Sequence, residues 1–211
     1  YDEAWMLMNQ ALDIAIQIDS KRQIVACHKQ LYYLCREFKR MMNERGDEQA
    51  STLFFRESLL HEMYFSEKPR LAELTVRYEA LRCDIMQQYY MNKDYDNVIR
   101  IATSLDFHDD ADPNASCLVY YYKAQAYVKL ENYPMAKEAF FRELELRKKY
   151  LGWEEEDTIL ACQNLGVLHS FCNEREEALA CFREAYGHEV KQNGEDSELA
   201  RTLLRYISFV K

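Results

Sequence analysis

Small and large apolar residues recur along this chain in a fixed order, separated by polar stretches, at intervals of roughly 40 residues. Gly166, Ala178, Phe182 and Ala185 form one set, and Ala124, Tyr127, Ala136 and Phe140 form another. Gly166 follows Ala124, Ala178 follows Ala136 and Phe182 follows Phe140 by the same 42 residues. Such a period predicts stacked helical hairpins, each burying its apolar face only against its neighbours. The small residues belong where two helices cross, because axes approach to roughly 8–10 Å only over short side chains. Phe140 and Phe182, one turn further on, fill the gap toward the next hairpin. The polar segments Leu130-Glu131-Asn132-Tyr133 and Cys172-Asn173-Glu174-Arg175 have the length of turns between antiparallel helices.

This pattern resembles the tetratricopeptide repeat, a 34-residue helix-turn-helix with small residues at its eighth and twentieth positions and an aromatic at the twenty-fourth. Leu165, Gly166, Ala178, Phe182 and Ala185 match that register without a gap. Tyr120, Ala124, Tyr127, Ala136 and Phe140 match it again, with Glu143 where a small residue is usual. The 42-residue spacing, with Tyr150-Leu151-Gly152 leading into an acidic helix start, is similar to the extended repeats of the kinesin light chain class and of bacterial regulatory arrays. Fainter copies precede these two. One holds Tyr89, Asp94, Tyr95 and Val98, and another holds Gly46, Asp47, Ala50, Phe54 and Glu57. Tyr1 to Ala4, with Met8 and Ala11, reads as the second helix of a fifth, so the chain is expected to be a fragment of a longer protein. Asp47 to Cys83 also resembles the end of repeat arrays in bacterial sensor kinases and diguanylate cyclases, with Leu74 to Glu79 as the Leu-x-x-x-Tyr-Glu helix. The resemblance implies an all-α fold: a right-handed superhelix of antiparallel helix pairs, about five imperfect repeats in one domain over residues 1–211.

Composition agrees. Only 5 Gly and 3 Pro occur in 211 residues, and strong helix formers dominate, which predicts about ten helices and no sheet. Pro69, Pro113 and Pro134 each sit where a helix can begin, with Ser66 or Glu67, Asp112, and Asn132 or Tyr133 near the caps. The net charge of −9 argues against nucleic acid as a partner. The acidic run Glu154 to Asp157 reads as first-turn charge facing a helix dipole. No stretch approaches the ~18–20 apolar residues of a membrane span, so no membrane is expected. Seven scattered Cys, at 27, 35, 83, 117, 162, 172 and 181, predict reduced thiols and a cytoplasmic location. Asn114-Ala115-Ser116 is a formal glycosylation triplet, read as a chance match.

Catalytic signatures are missing. There is no phosphate-binding glycine loop, no Cys-x-x-Cys and no His-Glu-x-x-His. The five His, at 28, 61, 108, 169 and 188, are isolated from one another along the chain. His169 occupies a packing position of the repeat, and Cys162, seven residues earlier on the same helix face, does not complete a zinc set. Asp110, Asp112 and Asn114 alternate like the start of a calcium loop but lack its Gly and its bidentate Glu. No metal, no cofactor and no enzymatic activity are therefore expected.

In the repeat that the chain resembles, the second, fifth, sixth, ninth, twelfth and thirteenth positions line a concave groove. The matching residues are Leu118, Tyr121, Tyr122, Gln125, Val128 and Lys129 in one copy. In the next they are Leu160, Gln163, Asn164, Val167, Ser170 and Phe171. Tyr121, Tyr122, Gln125, Lys129, Gln163, Asn164, Val167 and Ser170 are the candidate partner-binding residues: tyrosines supply area, and amides pair with an extended backbone. The Lys/Asn clamp of repeats that hold a C-terminal carboxylate is not recognisable, since only Lys129 is basic among the corresponding residues. The leading expectation is a non-catalytic scaffold for a protein or peptide partner. The alternative is a ligand- or peptide-sensing regulatory module of a signalling protein. A third reading is a self-associating array, a homodimer docked through the apolar helix Leu199 to Val210.

Overall fold

The computed structural model describes residues 2–66, 78–103 and 112–210. Among the described residues there are ten helices and no strand. They are α1 (Asp2–Gln17), α2 (Lys21–Glu44), α3 (Glu48–Glu62), α4 (Tyr78–Met91), α5 (Tyr95–Thr103), α6 (Pro113–Lys129), α7 (Tyr133–Tyr150), α8 (Glu156–Phe171), α9 (Arg175–Asn193) and α10 (Glu198–Val210). The protein is all-α, and sequential neighbours pack in α1–α2–α3 and again in α5 through α10. The chain divides into two compact units, Tyr1–Gln88 and Tyr89–Lys211.

One backbone device closes five of these helices. Asp19, Gly46, Lys93, Glu131 and Asn173 all have positive φ, between 49° and 74°. In each case that residue's N–H donates three residues back and the next N–H donates five residues back, as in Glu131 to Val128 (3.1 Å) and Asn132 to Tyr127 (2.9 Å). This pairing satisfies carbonyls that a helix end would leave orphaned. The following residue then starts the next helix. Asp47 accepts from the Ala50 N–H at 2.9 Å, Asp94 from Asn97 at 3.3 Å and Asn132 from Met135 at 3.4 Å. Stop and start signals thus sit on adjacent residues, which makes the turn sharp enough for a hairpin. Pro113 and Pro134 lie in first turns, with Asp112 accepting from Ala115 at 3.2 Å. Pro69, the Leu74–Arg77 part of the sensor-like segment and residues 108–111 of the acidic cluster lie outside the described residues.

In the second unit the recurring small and aromatic residues form the core. Ala124, Ala136, Phe140, Ala178, Phe182 and Ala185 are buried together with Leu165, Leu168 and Ile159. A methyl group on Gly166 would lie 2.8 Å from Cε1 of Phe182 and 3.0 Å from Cβ of Cys181. Gly166 therefore lets α8 and α9 approach, as the sequence implies. Helix α10 covers this core: Ala200, Leu203, Ile207 and Val210 are buried, and Tyr206 stacks on Phe182 at 5.1 Å. Its opposite face leaves Phe209 86% exposed. No described helix is long and apolar enough to cross a membrane.

In the first unit Trp5, Phe38 and Phe54 form an aromatic cluster with centroids 5.0–6.3 Å apart. The register expected for α1 is corrected here. Ala4 and Ala11 are exposed, and the helix buries Asn9, Leu12 and Ala15 instead. Alanine is compatible with either face of a helix, so it marks a crossing only when a bulky neighbour fixes the face; here Leu12 does so. A second correction concerns His28 and His61, isolated in sequence. Their Nδ1 atoms lie 2.9 Å apart in the buried interior between α2 and α3. All seven cysteines are free thiols, with Cys35, Cys83, Cys117 and Cys162 buried and Cys27, Cys172 and Cys181 half-buried.

Two glycine substitutions test the crossing. Gly166→Ala forces Phe182 from its place and should destabilise the chain by about 1–3 kcal/mol, less the gain in helix propensity. Gly187→Ala, on α9 with nothing within 4 Å of the added methyl, should instead stabilise by up to about 1 kcal/mol. Urea unfolding followed by circular dichroism reads both signs. Lys93→Gly, which relieves a left-handed non-glycine residue on the surface, should add roughly 1 kcal/mol in the same assay.

Candidate functional site

Helices α6, α7 and α8 of the second unit enclose an open cleft of about 390 Å³. Gln125, Val128 and Lys129 reach it from α6, a spacing that keeps the three on one face. Asn164, Val167, Leu168 and Phe171 reach it from α8, at i, i+3, i+4 and i+7. Tyr133 and Phe140 come from α7, and Glu131 from the left-handed turn before it. Tyr133 and Phe171 pack at 5.1 Å, and Phe171 remains 66% exposed at the rim. The lining is mostly apolar, with two amides and one charge of each sign. Such a mixture buries a partner's apolar side chains while offering donors and acceptors to its polar atoms.

Of the eight candidate residues, the structure brings Gln125, Lys129, Asn164 and Val167 together in this cleft. Tyr121, Tyr122, Gln163 and Ser170 are half-buried and do not line it. The Tyr121 ring lies 5.4 Å from Tyr122 and 6.5 Å from Phe140, and its hydroxyl is hydrogen-bonded to the Gln125 side chain. Burial, and then the Glu143 carboxylate, hold that phenol above its usual range. Tyr122 packs on Tyr90 at 5.7 Å. Gln163 has a buried side-chain oxygen without a hydrogen-bond partner. Val128 and Phe171, inward positions of the repeat pattern, also line the cleft. Glu131, Tyr133, Phe140 and Leu168 were missed; Phe140 read as core, Glu131 and Tyr133 as turn, and Leu168 was not singled out.

Two charge networks brace this unit. Glu174 accepts from Lys137, and one of its oxygens lies 2.6 Å from Nδ1 of His169. Lys137 first and His169 second pull the Glu174 carboxyl below its usual range, and the same bond holds Lys137 above its own. His169 is thus half-buried and tied to the turn rather than plain core. The second network is deeper. Glu143 accepts from Arg147 at 2.8 Å, and Arg147 also donates to Asp157 at 3.3 Å. Asp157 of the acidic run therefore pairs across to α7 besides sitting in the first turn of α8. Burial pushes the Glu143 carboxyl up to about 7; Arg147 pulls it down and Asp157 pushes it further up. On the other side of the core the Cys162 thiol donates to the Cys181 carbonyl at 3.3 Å. Thiol–thiol contact and burial hold Cys162 up, while the same contact holds Cys181 down.

Compared with known proteins, the chain matches no family model and no curated protein.

Glu143 makes the stability of this unit pH-dependent. Between about pH 4.5 and about 7 the native carboxyl keeps a proton that the unfolded chain has shed. The native state then binds more protons, so stability falls as pH rises through that window. The full displacement corresponds to on the order of 3 kcal/mol. Glu143→Gln keeps an acceptor for Arg147 and removes the titration. Urea midpoints at about pH 5 and about pH 8 should differ more for the wild type than for this variant; equal differences would mean the carboxyl is not displaced.

Proposed function

We propose that this chain is a non-catalytic interaction scaffold similar to tetratricopeptide repeats, and that the α6–α8 cleft holds an extended segment of a protein partner. The observation that carries this reading is the meeting of Gln125 and Asn164 in one apolar-walled cleft. They stand on equivalent faces of two helices whose small residues repeat at 42 residues. Side-chain amides both donate and accept, so each can pair with a peptide unit in an extended chain. Val167, Val128 and Phe171 supply the apolar wall for side chains that alternate along such a segment. Lys129 and Glu131 at one end favour a partner with charge of either sign near its bound part. A second reading follows from the volume. About 390 Å³ also suits a small ligand, as a sensing module attached to an output domain would require.

Selection of displayed random peptides on the purified chain, followed by fluorescence anisotropy titration of the winners, tests the first reading. Asn164→Ala and Gln125→Ala should each weaken binding by about tenfold, since a lost hydrogen bond is worth roughly 1–1.5 kcal/mol. Phe209→Ala, on the exposed face of α10, should leave affinity unchanged. Peptides whose affinity ignores both amide variants would place the binding surface elsewhere, and a selection yielding no peptide would favour the small-ligand reading.

A further inference from the structure

The first unit gathers metal-ligating side chains that the cleft does not use. Cys35 stands on α2, and Glu57 and His61 stand one turn apart on α3. One ligand atom from each, a thiol sulfur, a carboxylate oxygen and an imidazole nitrogen, lie within 4.8 Å of one another. Cys35 and Glu57 are fully buried, and His61 is 2% exposed. The geometry points to a zinc site made by Cys35, Glu57 and His61, oriented by His28.

Four observations converge on that assignment. The first is chemical type: sulfur, nitrogen and oxygen donors in one place match zinc, a borderline ion that takes all three. The second is charge. With zinc bound, the thiolate, the carboxylate and the divalent cation together make a neutral group, which a buried site tolerates better than a charged one. The third is spacing. Zinc bonds of about 2.0–2.3 Å at tetrahedral angles imply donors roughly 3.3–3.7 Å apart. Nε2 of His61 already lies 3.8 Å from Oε1 of Glu57, so a shift of about 1 Å at the widest pair closes the set. The fourth is the outer partner. Nδ1 of His61 is 2.9 Å from Nδ1 of His28, leaving Nε2, the nitrogen beside Glu57, to face the ion. A ligating histidine characteristically gives its other nitrogen to a hydrogen bond that fixes its ring. His28 is in turn held by stacking on Tyr64, centroids 3.6 Å apart and planes 11° from parallel.

Binding converts the Cys35 thiol to thiolate and releases its proton to solvent; nothing is oxidised or reduced. Three protein donors leave one tetrahedral position for water. The rival account is a metal-free polar core, in which Arg82, also fully buried in this unit, supplies the counter-charge.

The test uses the full chain and zinc alone. Dialysis against buffered zinc and elemental analysis should give one ion per chain. Zinc-edge X-ray absorption of the loaded wild type should show one sulfur at about 2.3 Å and nitrogen or oxygen neighbours at about 2.0–2.1 Å. Competition with a chromogenic chelator should show at least a 100-fold weaker site in Cys35→Ala and a 10–100-fold weaker one in His28→Phe. Cys181→Ala should bind as the wild type does. No retained zinc, a zinc sphere without sulfur, or undiminished binding by Cys35→Ala would each overturn the assignment. The absorption spectrum needs no variant, so it decides even where Cys35→Ala fails to fold.

Discussion

The structure depends on a single left-handed residue at the end of a helix. At Asp19, Gly46, Lys93, Glu131 and Asn173 the chain takes a conformation that costs a non-glycine residue roughly 1 kcal/mol, and it does so five times. What offsets that cost is the pair of backbone hydrogen bonds the conformation permits, together with the geometry it imposes on the next residue. Because that residue already begins the following helix, two helices are returned side by side with almost no linker. The contacts of α1 with α2, α2 with α3, α6 with α7 and α8 with α9 follow from this turn. A looser connection would add chain entropy and would let the helices cross at other angles.

Close return creates a demand for small side chains, and the chain meets it unevenly. In the second unit Ala136 and Ala178 lie on the later helix of a pair and Ala124 and Gly166 on the earlier one, all buried. Three residues after the aromatic, where Ala185 meets the same demand, two of the other copies carry Glu57 and Glu143. Both acids are buried, and the two units treat them differently. Glu143 is given an arginine on its own helix and still titrates near neutrality, so the pairing only partly compensates the loss of water. Glu57 has Cys35 and His61 beside it. A carboxylate at a position that packing would fill with alanine is a cost to stability, so its presence at one place in two repeats calls for a compensating partner each time.

The helices, the crossing at Gly166 and the starts at Asp112 and Asn132 could be read from residue order because their causes are local. A proline in a first turn, an oxygen-bearing cap before it and a small residue at a fixed offset act within a few positions of themselves. The left-handed residues were less legible. Gly46 and Asn173 are types that favour the conformation, but Lys93 and Glu131 are not, and only their offset from Asn173 and from each other points to them. The α1 register misled because Ala4 and Ala11 have no preference of their own for an inner face. Legibility of the cleft was mixed for a related reason. Gln125 takes the ninth position of its repeat and Asn164 the sixth of the next, both on the inward face of their helices, so the register carries both into it. Tyr121 and Tyr122 sit on the same helix, yet their rings turn to neighbouring aromatics, and that choice is made by Phe140, Gln125 and Tyr90 rather than by position in the repeat.

The buried cluster of the first unit was the least legible feature, and the reason is general to hairpin arrays. His28 and His61 are 33 residues apart, on different helices, with no motif around either. Their meeting depends on how far α2 extends before the turn at Gly46 and on where α3 begins after it. Two helices leaving a sharp turn pair residues at roughly equal distances from it: Cys35 with Glu57, and His28, further back, with His61, further on. A sharp antiparallel turn therefore works as a mirror in sequence, and ligand sets in such arrays should be sought as residues equidistant from a left-handed turn. By that rule the isolation of a histidine along the chain says nothing about its neighbours, whereas its distance from the nearest hairpin turn says which residues it will face.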